Sequence, residues 1–458
     1  MAYRTRTAAI QGLRGALDGM QAVSSWGRLR QVPHEVGRPA FLDQARAAAS
    51  AGGAPALCHG LGRSYGDVCL NENGRLIVTD LLDRIVSFDR ERGIVRAEAG
   101  LSFDRLLRVI VPHGWFVPVT PGTKFVTLGG AVANDVHGKN HEAAGTFGCH
   151  VRAIGLARSS GEMLTLSPEE NAELFAATIG GLGLTGVMLW VELQLVAIKS
   201  AMIESESLAL ENLDDFFRVA EESHDWPHTV AWVDCLAKGA AAGRGLFIRG
   251  RHAEEGGLRV HHAPRLAMPF DAPGVLLNAH TIALFNAGYR RRPWALGSRR
   301  VHYDPFFYPL DAIAGWNRLY GKRGFFQHQS VVPMAGAPDT VRKLLALPAE
   351  FGEGSFLMVL KLFGNKPSPG LLSFPMAGAT LALDFANKGE STRRLLDRMA
   401  ELVLAAGGRL YPAKDATMSG AAFRAGYPDW RKLEAQRDPA LMSDFWRRVT
   451  AQAAPEAA

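Results

Sequence analysis

The sequence predicts an α+β fold made of two domains, and three observations predict it. Short β-branched runs broken by Asp, Arg and Gly (Leu76-Ile77-Val78, Ile85-Val86, Ile94-Val95) read as strands, and amphipathic stretches read as helices. Glycine is dense in the first half: 21 of the 49 glycines lie between positions 51 and 190, with no G-X-Y period. Composition then shifts near residue 198. A length of 458 residues, at roughly 100–200 per domain, suits two or three domains with a core that needs no disulfide staples. The expected division is 1–197, 198–409, and a segment 410–458 that returns to the first domain.

Each element has a local cause. Ser102 is a fitting N-cap for a helix over 102–113, where Leu106, Leu107, Val109 and Ile110 form the apolar face, and Pro112 and Gly114 end it. Residues 171–178 read as a helix broken by Gly180-Gly181-Leu182-Gly183, and 185–196 returns as a strand. Residues 200–225 read as acidic and helical, and 250–300 as a basic, loop-like segment. The runs 355–363 and 379–385 are strands around a Gly/Pro loop, 391–406 is an amphipathic helix ended by Gly407-Gly408, and the tail 428–450 is helical.

Charge narrows the partners. Lys and Arg total 51 against 45 Asp and Glu, a net +6 that is mild for this length. Arg290, Arg291, Arg292, Arg299 and Arg300 cluster around Pro293-Trp294-Ala295-Leu296. A nucleic-acid surface would repeat such clusters or interleave them with stacking aromatics, so none is expected. A lipid or sugar phosphate, or an anionic membrane, is the better match. Cys58, Cys69, Cys149 and Cys235 form no C-x-x-C pair and no zinc spacing, so free thiols are expected and no metal site. No apolar run reaches the ~18 residues of a membrane span, and the N-terminus lacks the apolar core of a secretory signal.

Two segments carry the chemistry. One is His59-Gly60-Leu61-Gly62-Arg63-Ser64-Tyr65-Gly66-Asp67. The other runs Pro121-Gly122-Thr123, Thr127-Leu128-Gly129-Gly130-Ala131, then Asn134-Asp135-Val136-His137-Gly138-Lys139-Asn140-His141. Successive glycines let backbone N–H groups converge on an anion and let the chain approach a flat ring. Ser64, Thr123 and Thr127 add hydroxyl donors. The G-x-G-x-x-G fingerprint is missed by one residue, and no acid follows at the dinucleotide-fold distance, which disfavours an NAD site. Each cluster alone could be hairpin turns; together, with a third at 180–186, they suit a cofactor cradle. His137 and His141 have helical spacing, but Gly138 argues against a helix and no third metal ligand is spaced for them.

These residues carry a resemblance. G-x-G-x-S near 60, P-G-T with L-G-G some 60 residues on, and E-L-F-x-A-T-x-G-G-x-G-x-x-G over 173–186 resemble the FAD-binding domain of the vanillyl-alcohol-oxidase/PCMH-type flavoproteins. Within them, G-L-G-R-S-Y-G-D (60–67), D-V-H-G-K-N-H (135–141), W-N-R-x-Y-G (316–321), K-L-F-G (361–364), L-S-F-P (372–375), Y-P-A-K-D (411–415) and D-P-A-L-M-S-D-F-W-R-R (438–448) resemble the decaprenylphosphoryl-β-D-ribose 2-oxidase family over nearly the whole chain.

The resemblance implies a PCMH-type FAD domain of two subdomains, and a substrate domain whose antiparallel sheet, flanked by helices, roofs the isoalloxazine. It implies FAD contacts at residues 60–67, Pro121-Gly122-Thr123, Thr127 to Gly130, Asn134 to His137, Gly186-Val187 and Tyr411. Covalent members place His where Arg63 stands, so dissociable FAD is expected; Cys149 is the other conceivable anchor. The implied base is Lys414, on the returning strand, with a surface pairing to Asp415 as the competing reading. His137 would touch flavin or substrate, or serve structure only. Lys139, Trp232, Phe307, Gln327, Gln329, Lys361 and Asp384 match substrate-pocket positions, their alternative being ordinary sheet residues. Phe307 stands where close family members carry Tyr, Thr380 where they carry Asn, and Ala382 where they carry Cys.

The activity so implied is FAD-dependent oxidation of the C2 hydroxyl of a polyprenyl-phosphoryl ribose to a keto sugar. That is the first half of an epimerisation to the arabinose donor for envelope arabinan, with a short-chain dehydrogenase/reductase as partner. A cytoplasmic or peripheral inner-membrane location is expected, and the periplasm stays open. The rival readings are an oxidase of soluble alditols or aldonolactones and a non-catalytic, flavin-bearing adaptor of envelope assembly.

Overall fold

The structure, a computed structural model, describes residues 17–264, 266–274, 278–291 and 296–451. Three sheets organise it. Leu17–Ser24, Gln31–Gly37, Arg75–Val78 and Ala56–His59 lie side by side in that order, the first pair antiparallel and the others parallel. Ile85–Asp89, Ile94–Glu98, Val187–Gln194, Val151–Ala157 and Met163–Leu166 form an antiparallel sheet of five.

Beyond residue 200 the chain builds one antiparallel sheet of eight strands. Its order is Gly297–His302, Met202–Leu210, Gly245–His252, His228–Val233, Met358–Phe363, Gly378–Ala386, Phe325–Pro333 and Arg409–Leu410. Alternation along each strand sends side chains to opposite faces. Leu381, Leu383 and Phe385 join a core with Phe216, Val341, Leu344, Leu395 and Met399 from the helices Leu213–Glu221, Ala337–Glu350 and Glu390–Ala405. Burying each such side chain stabilises the fold by about 1.5–3 kcal/mol. The other face carries Thr380 and Ala382 and looks into the cavity described below.

The helix expected over 102–113 is Phe103–Ile110. The Ser102 hydroxyl accepts from Arg105 N at 3.3 Å, and Gly114 ends the following turn at φ 79°. Three expectations need correction. Residues 200–225 are not one helix: Met202–Leu210 is a strand with alternate residues buried, and only Leu213–Glu221 is helical. The 250–300 segment is not a loop. It contains the end of Gly245–His252, the helix Ala279–Arg291 and the start of Gly297–His302. Within its arginine cluster, 292–295 lie outside the described residues. The tail is two helices, Trp430–Gln436 and Asp444–Thr450, separated at Asp438-Pro439.

The tail packs on the first sheet. Ala56 N donates to Ala440 O, and Met442 N to Ala56 O, at 2.8 and 2.9 Å. The Arg448 guanidinium grips both Asp67 oxygens at 2.9 and 2.7 Å. The crossing is tight: a Cβ on Gly66 would stand 1.7 Å from Asp415 O, so only glycine fits there.

Candidate active site

A cavity of about 620 Å³ lies between the glycine-rich loops and the polar face of the large sheet. Its floor is the loop after Ala56–His59, the turn Thr120–Thr123, and the helix Leu128–Ala133 with the chain that follows it. Thr127 caps that helix, its hydroxyl accepting from Gly130 N at 3.0 Å. Gly60, Leu61, Gly62, Arg63, Ser64, Tyr65, Pro121, Gly122, Thr123, Thr127, Gly129, Gly130, Asn134, Val136 and His137 all line it, as does Tyr411. The three sequence clusters therefore meet at one site.

The roof is written in strand register. Trp232 pairs with Val359, Val359 with Ala382, and Ala382 with Gln329, so these four side chains form one row across four strands. Lys361 pairs with Thr380 one step along. Gln327, two residues from Gln329, extends the same face. Phe307, at the end of the helix Tyr303–Phe307, closes a side wall against Phe116 and His228. Tyr411 ties roof to floor: its N–H donates to Gln329 O and its hydroxyl to Asn134 O, both at 2.9 Å.

Electrostatics sets the chemistry. Five basic side chains line the cavity (Arg63, Lys139, Arg299, Lys361 and Lys414), and no acidic side chain does so among the described residues. Lys139 Nζ donates to Phe306 O, and Lys361 Nζ to Gly138 O at 3.3 Å. Burial and the neighbouring Lys361 push Lys139 down to about 7. Burial and Lys414 push Lys361 down to about 8. Lys414 Nζ stands 3.8 Å from the centre of the Tyr65 ring. Burial lowers its pKa, and the Asp384 carboxylate opposes that shift. A buried amine whose pKa is lowered is deprotonated more readily than a free lysine and can accept a proton from a substrate hydroxyl.

Lys414 lies in the turn after Arg409–Leu410 rather than on a strand. It does not pair with Asp415, whose carboxylate accepts from the N–H groups of Thr417 and Met418 and faces Arg448. His137 is caged by Phe363, Phe374 and Tyr411. Burial holds it well below the ordinary histidine range, with Lys361, His141 and Lys414 adding to the effect. Its Nε2 receives the Gln329 amide at 2.9 Å, which leaves the Nδ1 proton without a partner among the described residues.

Several residues expected at the site do other work. Asp67 holds Arg448, and Asp135 clamps Gly148 N, Ser368 and Ser373. Leu128 is core, Gly66 serves the crossing at Asp415, and Gly186-Val187 starts a strand against Leu156 and Ala157. None of these six lines the cavity, and neither does Asp384, which lies behind Gln327 and accepts its amide. Thr123 lines it, but its proton is taken by Asp311 Oδ1 at 2.7 Å. Cys149 packs against Thr146 and Pro367, away from the lining.

Sequence reasoning missed Trp26, whose ring stacks 3.9 Å from the Arg63 guanidinium, and Phe306, Leu310 and Tyr289 in the walls. No spacing marks them. Trp316, which also lines the cavity, sits in the quoted W-N-R-x-Y-G motif.

The cavity fits a dinucleotide. Gly122 and Gly183 line it with nothing within 4 Å of a built Cβ, so a side chain there would take ligand space. Asn134 Oδ1, His137 Nδ1 and Thr380 Oγ1, all on lining residues, are buried without partners among the described residues. The basic lining complements phosphate.

Comparison with known proteins agrees with that geometry. Residues 39–167 match the family described as "FAD binding domain". The chain is 34% identical to the decaprenylphosphoryl-β-D-ribose oxidase of Mycolicibacterium smegmatis, over 88% of this chain and 90% of that one. It is 34% identical to an uncharacterized protein of Streptomyces coelicolor, over 76% of this chain and 100% of the other. L-gulonolactone oxidase of Mus musculus matches at 29% identity over 35% of this chain and 37% of its own length. A full-length match of this kind, over an FAD-binding domain whose glycine clusters converge on a single basic cavity, makes this chain a member of the FAD-dependent oxidoreductase family of decaprenylphosphoryl-β-D-ribose oxidase.

Proposed function

We propose that this enzyme oxidises the C2 secondary hydroxyl of a polyprenyl-phosphoryl ribose to a keto group. The observation that carries the reading is Lys414, an amine of lowered pKa set between the glycine-lined floor and a roof bearing Gln327, Gln329 and Lys361. The relative of M. smegmatis, named for oxidising decaprenylphosphoryl-β-D-ribose, aligns over 90% of its length.

FAD, when bound, supplies the hydride acceptor for the sugar C2–H. The chain supplies the rest. Gly60 to Ser64, Gly122 and Thr123 would hold the dinucleotide through backbone N–H groups and the hydroxyls of Ser64 and Thr127, and Gly129 and Gly130 would leave it room beside the capped helix. Neutral Lys414 takes the C2 hydroxyl proton as the C–H bond breaks and becomes the ammonium. Gln327 and Gln329 hold sugar hydroxyls, with Asp384 orienting the first amide and His137 the second. Lys139 and Lys361 face the lipid phosphate, which would raise their pKa values and restore their charge. Trp232 and Phe307 exclude water.

In this reading residues 1–197 serve FAD, 198–409 serve the substrate, and 410–458 return Tyr411 and Lys414 to the cofactor. FAD binds non-covalently in this reading. Arg63 replaces the histidine of covalent members, and burial pushes the thiols of Cys58 and Cys69 up to about 12, which keeps them protonated. The keto product is set up for reduction from the other face by a separate nicotinamide-dependent reductase, completing the epimerisation. Among the described residues no helix is long and apolar enough to cross a membrane. A lipid-borne substrate therefore calls for peripheral contact.

Anaerobic bleaching of the bound flavin tests the reading. Polyprenyl-phosphoryl ribose should bleach it, and L-gulonolactone or free alditols should not. Bleaching by the soluble sugars alone would move the enzyme to the aldonolactone oxidases, and a flavin unbleached by every sugar would favour the adaptor.

A further inference from the structure

The rim of the cavity carries a concentration of exposed apolar surface. Six of the fifteen large apolar side chains exposed among the described residues lie within residues 266–313: Leu266, Phe270, Leu284, Phe285, Leu296 and Ile313. Leu284 is 77% exposed and Phe270 66%. Such clustering on a soluble surface marks an interaction site rather than scatter.

The cluster is continuous with the cavity on both flanks. On one side, Leu266 pairs with Ile313 in a short parallel ladder, and Ile313 lies between the cavity residues Leu310 and Trp316. On the other, the helix Ala279–Arg291 turns Ala283, Leu284, Ala287 and Gly288 outward. Phe285 of that helix stacks 5.8 Å from Tyr289, which lines the cavity. The flanks meet at Trp316–Tyr320: Ala272 N donates to Arg318 O, and Asn278 and Ile282 share a recess with Tyr320.

Charge identifies the occupant. Residues 256–303 contain seven arginines and one acid, Asp271, which Arg28 already holds at 2.6 Å. Arg290 and Arg300 pair with the exposed Glu211 and Glu204, contacts weak enough in water to exchange for lipid phosphates. Protruding aliphatic and aromatic side chains on segments that carry Arg290 and Arg300 suit the interface of an anionic bilayer.

We propose that this rim docks on an anionic lipid surface. Leu266, Phe270, Leu284, Phe285 and Ile313 enter the acyl boundary, and Arg290 and Arg300 face phosphate headgroups. The cavity mouth then opens onto the membrane, and a lipid-borne sugar reaches Lys414 without carrying its prenyl chain through water. The inference deepens the polyprenyl-phosphate reading and rests on it for the identity of the cargo.

The test is co-sedimentation of the flavin-loaded full chain with vesicles of phosphatidylglycerol and phosphatidylcholine in equal parts, and with phosphatidylcholine alone. Binding to the anionic vesicles should weaken as salt rises. It should fall about tenfold or more in the double variant L284E/F270E, as expected when buried apolar area is replaced by like charge. M163E, a charge introduced at an exposed methionine of the five-stranded sheet, should bind as wild type. Flavin content reports folding. Bleaching by a short-chain, water-soluble prenyl-phosphoryl ribose should be unchanged in L284E/F270E, so loss of docking and loss of the activity reading are separate results. Absence of binding, equal binding to both vesicles, or a salt-sensitive binding that L284E/F270E leaves intact would overturn the proposal. So would concentration-dependent self-association that the double variant abolishes without any vesicle binding, since the rim would then be a contact between copies.

Discussion

The floor and the roof of the cavity are built on opposite principles. The floor is loop backbone: glycines, a short capped helix, and hydroxyls that meet main-chain N–H groups. The roof is side chains, delivered two residues apart along four strands and aligned in rows by register. A floor of that kind recognises what all dinucleotides share, an anionic backbone and a flat ring. A roof of that kind recognises one substrate, because changing a side chain leaves the sheet intact. Floor changes should therefore alter cofactor retention, and roof changes should alter turnover with the cofactor retained.

The strongest challenge to this division comes from Lys414, which belongs to neither the floor nor the sheet. Lys414→Met should keep its flavin yet lower the rate of flavin reduction by about 10²–10⁴, the usual worth of a positioned base. Rapid-mixing absorbance reads it directly. Next is the floor. Gly122→Val has empty space around it in the protein, so the apo chain should fold normally. It should lose flavin affinity about 100-fold, or ~2.7 kcal/mol, if the Val side chain costs one or two good contacts. Equilibrium flavin binding measures this, and an unchanged affinity would remove residue 122 from the cofactor site.

A finer probe lies behind the roof. The Asp384 carboxylate raises the Lys414 pKa against the effect of burial. Asp384→Asn removes that support, so the pKa of Lys414 falls further. Because the neutral amine is the active form, the acidic limb of the kcat/KM profile should move to lower pH. A limb moving to higher pH would assign it to another group. Asp67→Asn separates scaffold from site. Loss of its two-toothed contact with Arg448 should lower thermal stability by about 1–3 kcal/mol and leave flavin affinity unchanged. The smallest effect is expected at Cys149→Ser, where acid precipitation should release flavin to the supernatant in variant and wild type alike.

The same contrast explains what could be read from the sequence. Ser102 before an apolar stripe, with Pro112 and Gly114 beyond, marks its helix because capping and termination are local. The floor was legible because glycine clusters are. The strand Phe325–Pro333 was not read from pattern, since both of its faces are buried and its centre, Gln327-His328-Gln329-Ser330, is polar. Gln327 and Gln329 face the cavity, while His328 and Ser330 satisfy each other at 2.9 Å on the far side. Periodicity cannot announce such a strand, and only family likeness pointed to its glutamines. Asp135 and Asp67 sit in motifs beside true cavity residues, yet their carboxylates hold scaffold partners hundreds of positions away in sequence. In Met202–Leu210 the run Glu204-Ser205-Glu206-Ser207 alternates half-buried Glu with buried Ser; its acidic composition suggested a helix, and its period-two burial reveals a strand.

The central claim is that Lys414, set between floor and roof, takes the proton of a lipid-linked sugar. Anaerobic single-turnover reduction of the flavin by polyprenyl-phosphoryl ribose, compared between wild type and Lys414→Met across pH, tests it most directly. The wild-type rate should rise with pH through the titration of one group, and the variant should be slow and flat. Flavin reduction in Lys414→Met at the wild-type rate, with the same pH dependence, would contradict it.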